Sequence, residues 1–329
     1  MKAIGLLSGG LDSTLTVKLL LDMGFEVICL NMKTPFCLCD RKGSCSSQKV
    51  AEKYKLSLVR IFGGKDYIDL IKNPKHGYGR GLNPCIDCRI YLFSRAKELM
   101  KKEKAEFIFT GEVLGQRPMS QRLDAMRVID KESGLLGRVL RPLSAKVLEP
   151  TIMEEQKIID REKLLSIQGR SRKPQMALAK KLEIGDYPCP AGGCLLTDAE
   201  FANRLKDAFR FGEDNLRDIE LLKVGRHFRL PSGAKVVCGR DKDENEKLLF
   251  LAKEGESKFT VEKIKSTYAL LLGEPTSENN LSASRICARY SKSKGNNRLT
   301  IKCWTDSADV FDKIESEPIS DEELARLKV

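Results

Sequence analysis

Short apolar runs alternate with amphipathic segments through the first half of the chain. The apolar stretch at 3–7 predicts a buried strand, and residues 13–23 carry apolar side chains at helical spacing. The alternation continues along the chain, and further strands are predicted at 26–32, 56–62 and 107–110. Helices are predicted at 44–54, 66–71 and 90–101, and Ser44 is the predicted N-cap of the first of these. Strands that alternate with helices form parallel sheets with right-handed crossovers. The first half is therefore predicted to be an α/β doubly wound parallel sheet.

A small-residue turn joins the first strand to the first helix. Two glycines allow the backbone N–H groups to approach a phosphate, and the following helix presents its positive end to the same anion. No lysine follows the glycines, which excludes the loop of NTPases that transfer a γ-phosphoryl group. The carboxylate of Asp12 is suited to Mg²⁺. The predicted nucleotide-binding residues of this turn are Ser8, Gly9, Gly10, Asp12, Ser13 and Thr14.

The pattern changes near residue 200. The chain from residue 151 onward is expected to be helical and charged. After residue 221, the sequence predicts short strands, a Pro-Ser-Gly turn and a helix in succession. This α+β pattern predicts a second, smaller domain, with domains at 1–198 and 199–329. Residues 314–323 are acidic and are expected to be frayed or to form a short helix. Three cysteines in apolar, strand-like surroundings are predicted to be buried structural thiols: Cys238, Cys287 and Cys303.

Composition narrows the possible chemistry. The 329 residues are 41% hydrophobic, and no apolar run reaches the length of a membrane span. Because the chain opens directly on a core strand, no signal peptide and a cytoplasmic location are expected. Eleven cysteines in that compartment indicate metal-binding or catalytic thiols, and two histidines leave little imidazole chemistry. The net charge of +12 points to a polyanionic partner such as nucleic acid.

The cysteines fall into separate groups. Cys85 and Cys88 form a CxxC behind a proline, where a helix N-terminus would stabilise their thiolates. A lone CxxC fits zinc, iron–sulfur or redox chemistry. The turn at 187–197, rich in proline and glycine, is built to present a thiol. Cys37, Cys39 and Cys45 follow a strand end and either contribute to a metal site or are ordinary reduced thiols.

Several motifs resemble known families. The SGGLDS turn resembles the pyrophosphate loop of PP-loop ATPases, which cleave ATP between the α and β phosphates. GEVLGQ with the following SQ, and VLRPLS, are similar to segments of 4-thiouridine tRNA synthases, and NPCIDC resembles the NPxxxC segment of tRNA 2-thiouridylases. GRHFRL and GRDKDEN resemble the RNA-binding module of NFACT proteins. The chain therefore resembles a PP-loop tRNA sulfurtransferase, adenine nucleotide α-hydrolase-like in fold, fused to an NFACT RNA-binding-like domain.

The resemblance implies an activity and its residues. ATP would adenylate a uridine carbonyl, and sulfur would then replace the oxygen. Gly111 and Gln116 would join the turn in binding ATP, and Asp12, Cys88 and Cys194 would be catalytic. In related cluster-dependent enzymes a CxxC and a distant cysteine hold a [4Fe-4S] cluster whose fourth iron binds hydrosulfide. The matching residues are Cys85, Cys88 and Cys194, with Cys189, between two prolines, as the rival third ligand. The residues expected to bind RNA are Arg117, Arg122, Arg170, Arg172 and Lys173.

Alternatives remain open from the sequence. A persulfide on Cys88 or Cys194 would transfer sulfur without a cluster, with the other thiol resolving it. An amine in place of sulfur would make the protein a PP-loop ligase or amidotransferase, and a non-catalytic RNA-binding protein would use ATP as a switch. The expected partners are tRNA, a sulfur donor (sulfide or a cysteine desulfurase) and a second copy in a homodimer. Neither the rhodanese domain nor the leading tRNA-binding domain of 4-thiouridine synthases has a counterpart, so the C-terminal domain is expected to replace the latter. The modified uridine and the choice of 2-thio or 4-thio product are not determined.

Overall fold

The computed structural model describes residues 1–37, 46–185, 194–264, 266–291, 298–306 and 311–329. The chain divides into two compact units, Met1–Asp198 and Ala199–Val329. The strands of the first unit are β1 (Lys2–Leu6), β2 (Glu26–Lys33), β3 (Ser57–Phe62), β4 (Phe107–Thr110) and β5 (Val139–Leu140). Its helices are α1 (Leu11–Asp22), α2 (Ser46–Lys53), α3 (Lys65–Lys72), α4 (Cys85–Lys102), α5 (Leu123–Glu132), α6 (Ile152–Glu155) and α7 (Lys173–Lys181).

The five strands of the first unit form one parallel sheet in the order β3-β2-β1-β4-β5. Apolar side chains cover both faces: Val17 packs in a core with Phe107 on one side, and Phe93 packs with Ile4 and Ile108 on the other. This confirms the predicted α/β doubly wound fold. The strand order reverses between β1 and β4, and in such sheets ligands bind beyond the carboxyl ends of the strands at the reversal.

Two predictions about this unit need correction. The segment after residue 151 is mostly not helical, because its backbone bonds to neighbouring loops: Leu165 N–H donates to Pro142 O at 2.9 Å and Ile167 N–H to Leu143 O at 2.7 Å. The helix predicted to begin near residue 90 begins at Cys85, with Pro84 as its N-cap. The helix predicted at 44–54 is α2, whose proposed N-cap, Ser44, lies outside the described residues.

The second unit is α+β, as predicted. Its helices are α8 (Ala199–Arg210), α9 (Leu216–Leu221), α10 (Lys242–Leu251), α11 (Ser277–Arg289) and α12 (Asp321–Leu327). Its strands are β6 (Arg226–Arg229), β7 (Lys235–Cys238), β8 (Lys258–Val261), β9 (Tyr268–Leu272), β10 (Leu299–Trp304) and β11 (Asp312–Ser316). They form an antiparallel sheet in the order β11-β10-β8-β9-β7-β6, with α11 packed against it.

The C-terminal cysteines and the chain end differ in detail from the predictions. Cys238, Cys287 and Cys303 are buried as predicted, but Cys287 lies on α11 and not on a strand. The acidic stretch at 314–323 was expected to be frayed or to form a short helix: its first residues complete β11, which pairs with β10, and its last residues begin the short helix α12, which is capped by the Ser320 side chain. Across the described ranges, no helix combines the length and apolar character that crossing a membrane requires.

Candidate nucleotide and thiol site

The loop between β1 and α1 is tightly packed at the reversal point of the sheet. Gly9 has a φ of +78°, and a Cβ there would lie 2.4 Å from the backbone carbon of Ser46, so only glycine fits. The hydroxyls of Ser8 and Ser13 are 3.1 Å apart, and Ser13 also donates to Gly10 O at 2.9 Å. These bonds fix the loop where α1 begins. The N-terminus of α1 is thus presented to the crevice, as an anion-binding loop requires.

Asp12 is held by a chain of buried amides. Its Oδ2 accepts from Gln116 Nε2 at 2.7 Å, and Gln116 Oε1 accepts from Gln175 Nε2 at 2.8 Å. Gln175 is fully buried on α7. Gly111, directly after β4, allows a close approach, since a Cβ there would lie 2.6 Å from the backbone carbon of Asp12. Asp12 Oδ1 is buried and has no hydrogen-bond partner within the described ranges.

Both thiols of the CxxC lie in the first turn of α4. The buried hydroxyl of Tyr67 donates to Cys88 Sγ at 3.1 Å. Asp87, between the two thiols, accepts the backbone N–H groups of Lys75 and His76 at 3.2 and 3.1 Å. The loop that precedes α4 is therefore tied to the same turn that carries the thiols.

The third predicted thiol, Cys194, lies opposite Cys37. The two residues form an isolated antiparallel bridge, and Leu195 N–H donates to Phe36 O at 3.1 Å. The structure thus brings a fourth cysteine, whose role the sequence left open, to the thiol site. The rival ligand Cys189, together with Cys39 and Cys45, lies outside the described residues.

Burial dominates the acid–base behaviour of these thiols. It raises the pKa of Cys194 to about 12, and it raises the pKa values of Cys85 and Cys88. The pKa values of the CxxC thiols therefore lie above the ordinary cysteine value, although both thiols lie at a helix N-terminus. Cys88, Cys37 and Cys85 each raise the pKa of Cys194 further, which makes the four thiols electrostatic neighbours.

Those four thiols are not arranged around a single point. Among the residues that the structure describes, no three His, Cys, Asp or Glu side chains come close enough together to hold one metal ion.

Arg117 directly follows Gln116, the residue that binds Asp12. Although the Arg117 side chain is exposed, desolvation by the protein around it, followed by repulsion from Arg89 and Arg172, lowers its pKa, whereas attraction to Cys85 and Asp12 raises it. Because α4 precedes the parallel strand β4, the CxxC at its N-terminus lies at the carboxyl ends of the strands, where the loop between β1 and α1 also lies. Both groups of predicted site residues thus share one side of the sheet.

A buried ion pair supports the GEVLGQ and VLRPLS segments. Arg141 donates to both carboxylate oxygens of Asp130 at 2.7 and 2.8 Å and to Glu112 at 3.1 Å. Glu112 also lies 3.4 Å from Arg89 on α4. The sequence singled out both segments but did not reveal that they are joined through these charges.

The basic residues predicted to bind RNA are at least partly accessible. Arg117, Arg122, Arg170 and Lys173 are exposed, and Arg172 is half-buried. Arg170, Arg172 and Lys173 lie at or just before the start of α7, two residues or more before Gln175. The positive charge at 170–173 therefore adjoins the helix that supports Asp12.

Two family models match the chain. The model described as "Thiamine biosynthesis protein (ThiI)" matches residues 1–168, and the model described as "NFACT protein RNA binding domain" matches residues 225–327.

Curated relatives match over shorter stretches. A tRNA-specific 2-thiouridylase MnmA from Leptospira interrogans is 30% identical over 119 residues, covering 30% of this chain and 31% of that protein. The MnmA of Pelotomaculum thermopropionicum is 34% identical over 149 residues, covering 40% of each. The match thus spans well under half the length of these relatives.

Two solved structures show distant likeness. A 4-thiouridine synthetase–RNA complex with bound ATP matches with a TM-score of 0.35 and 19% identity, covering 68% of this chain and 52% of that one. The C-terminal part of the fibronectin/fibrinogen-binding protein of Streptococcus suis matches with a TM-score of 0.30 and 13% identity, covering 74% and 95%.

The two family models lie in the two units of the structure. Their matches confirm the predicted resemblance to PP-loop tRNA thiolases joined to an NFACT RNA-binding-like domain. Since the ThiI model matches 168 of the 329 residues, the chain belongs to the ThiI family.

Proposed function

We propose that the protein is an ATP-dependent tRNA sulfurtransferase that adenylates a uridine carbonyl and replaces its oxygen with sulfur. The observation that carries this proposal is that the loop carrying Asp12 and the CxxC at the start of α4 both lie at the carboxyl ends of the parallel strands. Adenylation and sulfur delivery must act on the same uridine carbon in turn. A nucleotide loop and thiols at the same edge of the sheet support such a sequence of steps.

In the first step the uridine carbonyl oxygen attacks the α-phosphorus of ATP, and pyrophosphate leaves. The backbone N–H groups at 9–13 and the hydroxyls of Ser8, Ser13 and Thr14 would bind the departing pyrophosphate. Asp12 would hold Mg²⁺ through Oδ1, a buried acceptor without a partner in the described ranges and of the donor type that Mg²⁺ prefers. The bond from Gln116 fixes the other oxygen and thereby orients the carboxylate.

In the second step sulfur attacks the activated carbon and AMP leaves. Cys85, Cys88 and Cys194 would hold a [4Fe-4S] cluster, which supplies an iron able to carry hydrosulfide. The donor set fits in kind, because it consists of half-buried soft thiols, and the ligands of such a cluster lie on different irons and not around one ion. Burial raises the pKa values of all three thiols, and binding to iron is a way to deprotonate them.

Persulfide chemistry is the second candidate, supported by the neighbouring thiols. A cysteine desulfurase would transfer the outer sulfur of its own persulfide to Cys194, and the terminal sulfur of the resulting Cys194 persulfide would form a bond to the activated carbon as AMP leaves. Cys88 would then attack the Cys194 sulfur, release the thiouridine and leave a disulfide for an external reductant.

The basic residues at 117, 122 and 170–173 and the NFACT-type unit would bind tRNA. Sulfide or a cysteine desulfurase would supply the sulfur, and a homodimer is the assembly we propose.

ATP cleavage tests the first step. Incubation with tRNA, sulfide and ATP labelled at the α-phosphate should yield AMP and pyrophosphate, and Asp12→Asn should lower the rate by about a hundredfold or more, since a metal ligand is lost. Asp22→Asn is the matched control, because Asp22 ends the same helix and pairs with Lys18. Formation of ADP would contradict the proposal, and binding without cleavage would instead indicate an ATP switch.

Iron analysis distinguishes the two sulfur routes. After anaerobic reconstitution the protein should contain about four irons per chain. Separate Cys85→Ala, Cys88→Ala and Cys194→Ala variants should lose them, whereas Cys303→Ala, in β10 of the other unit, should not. A full cluster in Cys194→Ala and its loss in Cys189→Ala would transfer the third ligand to Cys189. Protein that stays iron-free but thiolates tRNA would favour the persulfide route.

A further inference from the structure

Cys37 and Cys194 occupy a particular kind of cross-strand position. They pair in an antiparallel bridge, and the N–H of Leu195 donates to the carbonyl of Phe36. In antiparallel pairing, a hydrogen bond from the residue after one partner to the residue before the other marks a non-hydrogen-bonded pair. The facing Cα atoms of such a pair lie about 4.5 Å apart, with their side chains close together.

That spacing is compatible with a disulfide. Disulfide-bonded cysteines have Cα atoms about 4.4 to 6.8 Å apart, and the spacing of a non-hydrogen-bonded pair falls within this range. Cys37 and Cys194 are both partly accessible to solvent, so a small reagent can reach them.

We propose that Cys37 and Cys194 are a redox modification site that closes reversibly into a disulfide. The site is distinct from the thiolation chemistry proposed above, which uses Cys194 but not Cys37. Closing the bond removes Cys194 from the group of thiols that faces Cys85 and Cys88. Sulfur transfer therefore stops until the bond is reduced.

The chemistry balances with a small disulfide as the oxidant. Cys37, which is not among the proposed cluster ligands, is the attacking thiol; its Sγ accepts the backbone N–H of Thr34 at 3.3 Å and lies 3.3 Å from the Thr34 hydroxyl. The Cys37 thiolate attacks one sulfur of the reagent and releases one thiolate. Cys194 then loses its proton and attacks Cys37 Sγ, releasing the second. Two protein thiols are oxidised, and one small disulfide is reduced to two thiols.

Neighbouring cysteines define how the test is designed. Cys39 shares a tryptic peptide with Cys37, and Cys189 shares one with Cys194. The experiment therefore uses the full chain carrying Cys39→Ser and Cys189→Ser, treated with oxidised glutathione, alkylated and analysed by peptide mass spectrometry. Adding Cys37→Ser gives the test variant, and adding Cys303→Ser gives the control.

The expected product is a single cross-linked peptide pair containing Cys37 and Cys194, with two fewer alkylated thiols per chain. Dithiothreitol should restore both thiols. The cross-link should be absent from the Cys37→Ser variant and present in the Cys303→Ser control. A Cys88–Cys194 or Cys85–Cys194 link, or glutathione adducts on Cys37 that never resolve, would overturn the proposal. Because the readout is a cross-link, its failure leaves the thiolation activity untouched, and a failure of thiolation leaves the cross-link measurable.

Discussion

At the scale of single residues, the hydroxyl of Tyr67 controls the reactivity of a thiol. Its bond to Cys88 lowers the pKa of that thiol and partly opposes the dominant effect of burial. Tyr67→Phe keeps the aromatic packing but removes the donor, so the Cys88 pKa should rise further. At a fixed pH near 8, well below that pKa, a rise of one in the pKa lowers the thiolate fraction about tenfold.

Alkylation of Cys88 by iodoacetamide, followed by mass spectrometry, measures this effect. The rate should fall several-fold in Tyr67→Phe and recover as pH is raised. Tyr91→Phe is the matched control, because the Tyr91 hydroxyl donates to the exposed Asp66 carboxylate instead. Equal alkylation rates in Tyr67→Phe and the unmodified protein would show that the hydroxyl does not act on Cys88.

Sequence reasoning identified the residues that belong to short local motifs. Asp12 and Gln116 follow core strands in recognisable patterns, and the structure joins them directly. Gln175 and Tyr67 were missed because their roles depend on contacts with residues distant in the sequence, 59 positions away for Gln175 and 21 for Tyr67. The sequence did contain a signal for Gln175, because this residue lies beside the basic cluster at 170–173. The inference of RNA binding used the charged residues of that cluster and gave the Gln175 amide no role.

At the scale of elements, the segment that carries Cys194 depends on Gly81. The N–H of Leu82 donates to Leu196 O at 2.9 Å, and a Cβ on Gly81 would lie 2.3 Å from that oxygen. Gly81→Ala should therefore break this contact and displace Cys194. Gly77→Ala is the control, because Gly77 also has a positive φ, +71° against +66°, but has open space around it.

Both alanine variants should lose about 1 to 2 kcal/mol of stability from the left-handed backbone, measured by urea unfolding. Only Gly81→Ala should also lower the yield of thiouridine and the iron content. Equal activity of the two variants would mean that the Gly81 contact does not position Cys194.

Strands and helices were predicted correctly where the pattern of apolar residues reflects burial on both faces of the sheet. The strands β1, β2 and β4 contain near-continuous buried apolar runs for that reason, whereas β3, at the edge of the sheet, alternates between partly buried and exposed residues. The prediction failed after residue 151, where charged residues suggested a helix but the backbone bonds to neighbouring loops. Those hydrogen bonds join segments that are distant in the sequence, so the local composition of the segment does not predict them.

At the scale of the whole molecule, the net charge of +12 should make tRNA binding depend on salt. A plot of log Kd against log salt concentration, measured by filter binding, should have a slope set by the number of phosphate contacts. Arg170→Glu with Arg172→Glu should weaken binding and reduce the slope by about 0.7 to 0.9 for each lost contact. Lys18→Glu, within α1, is the control, and an unchanged slope in the double variant would exclude residues 170–173 from the RNA interface.

The central claim is that this chain moves sulfur into tRNA at the expense of ATP. The most direct measurement is mass spectrometry of nucleosides from thiouridine-free tRNA after anaerobic incubation with the reconstituted protein, Mg²⁺, ATP and sulfide. We predict a thiouridine, identified as the 2-thio or 4-thio isomer by its retention time, formed in equal amount to AMP. AMP release with tRNA that remains free of sulfur would contradict the account and indicate that another nucleophile attacks the adenylated substrate.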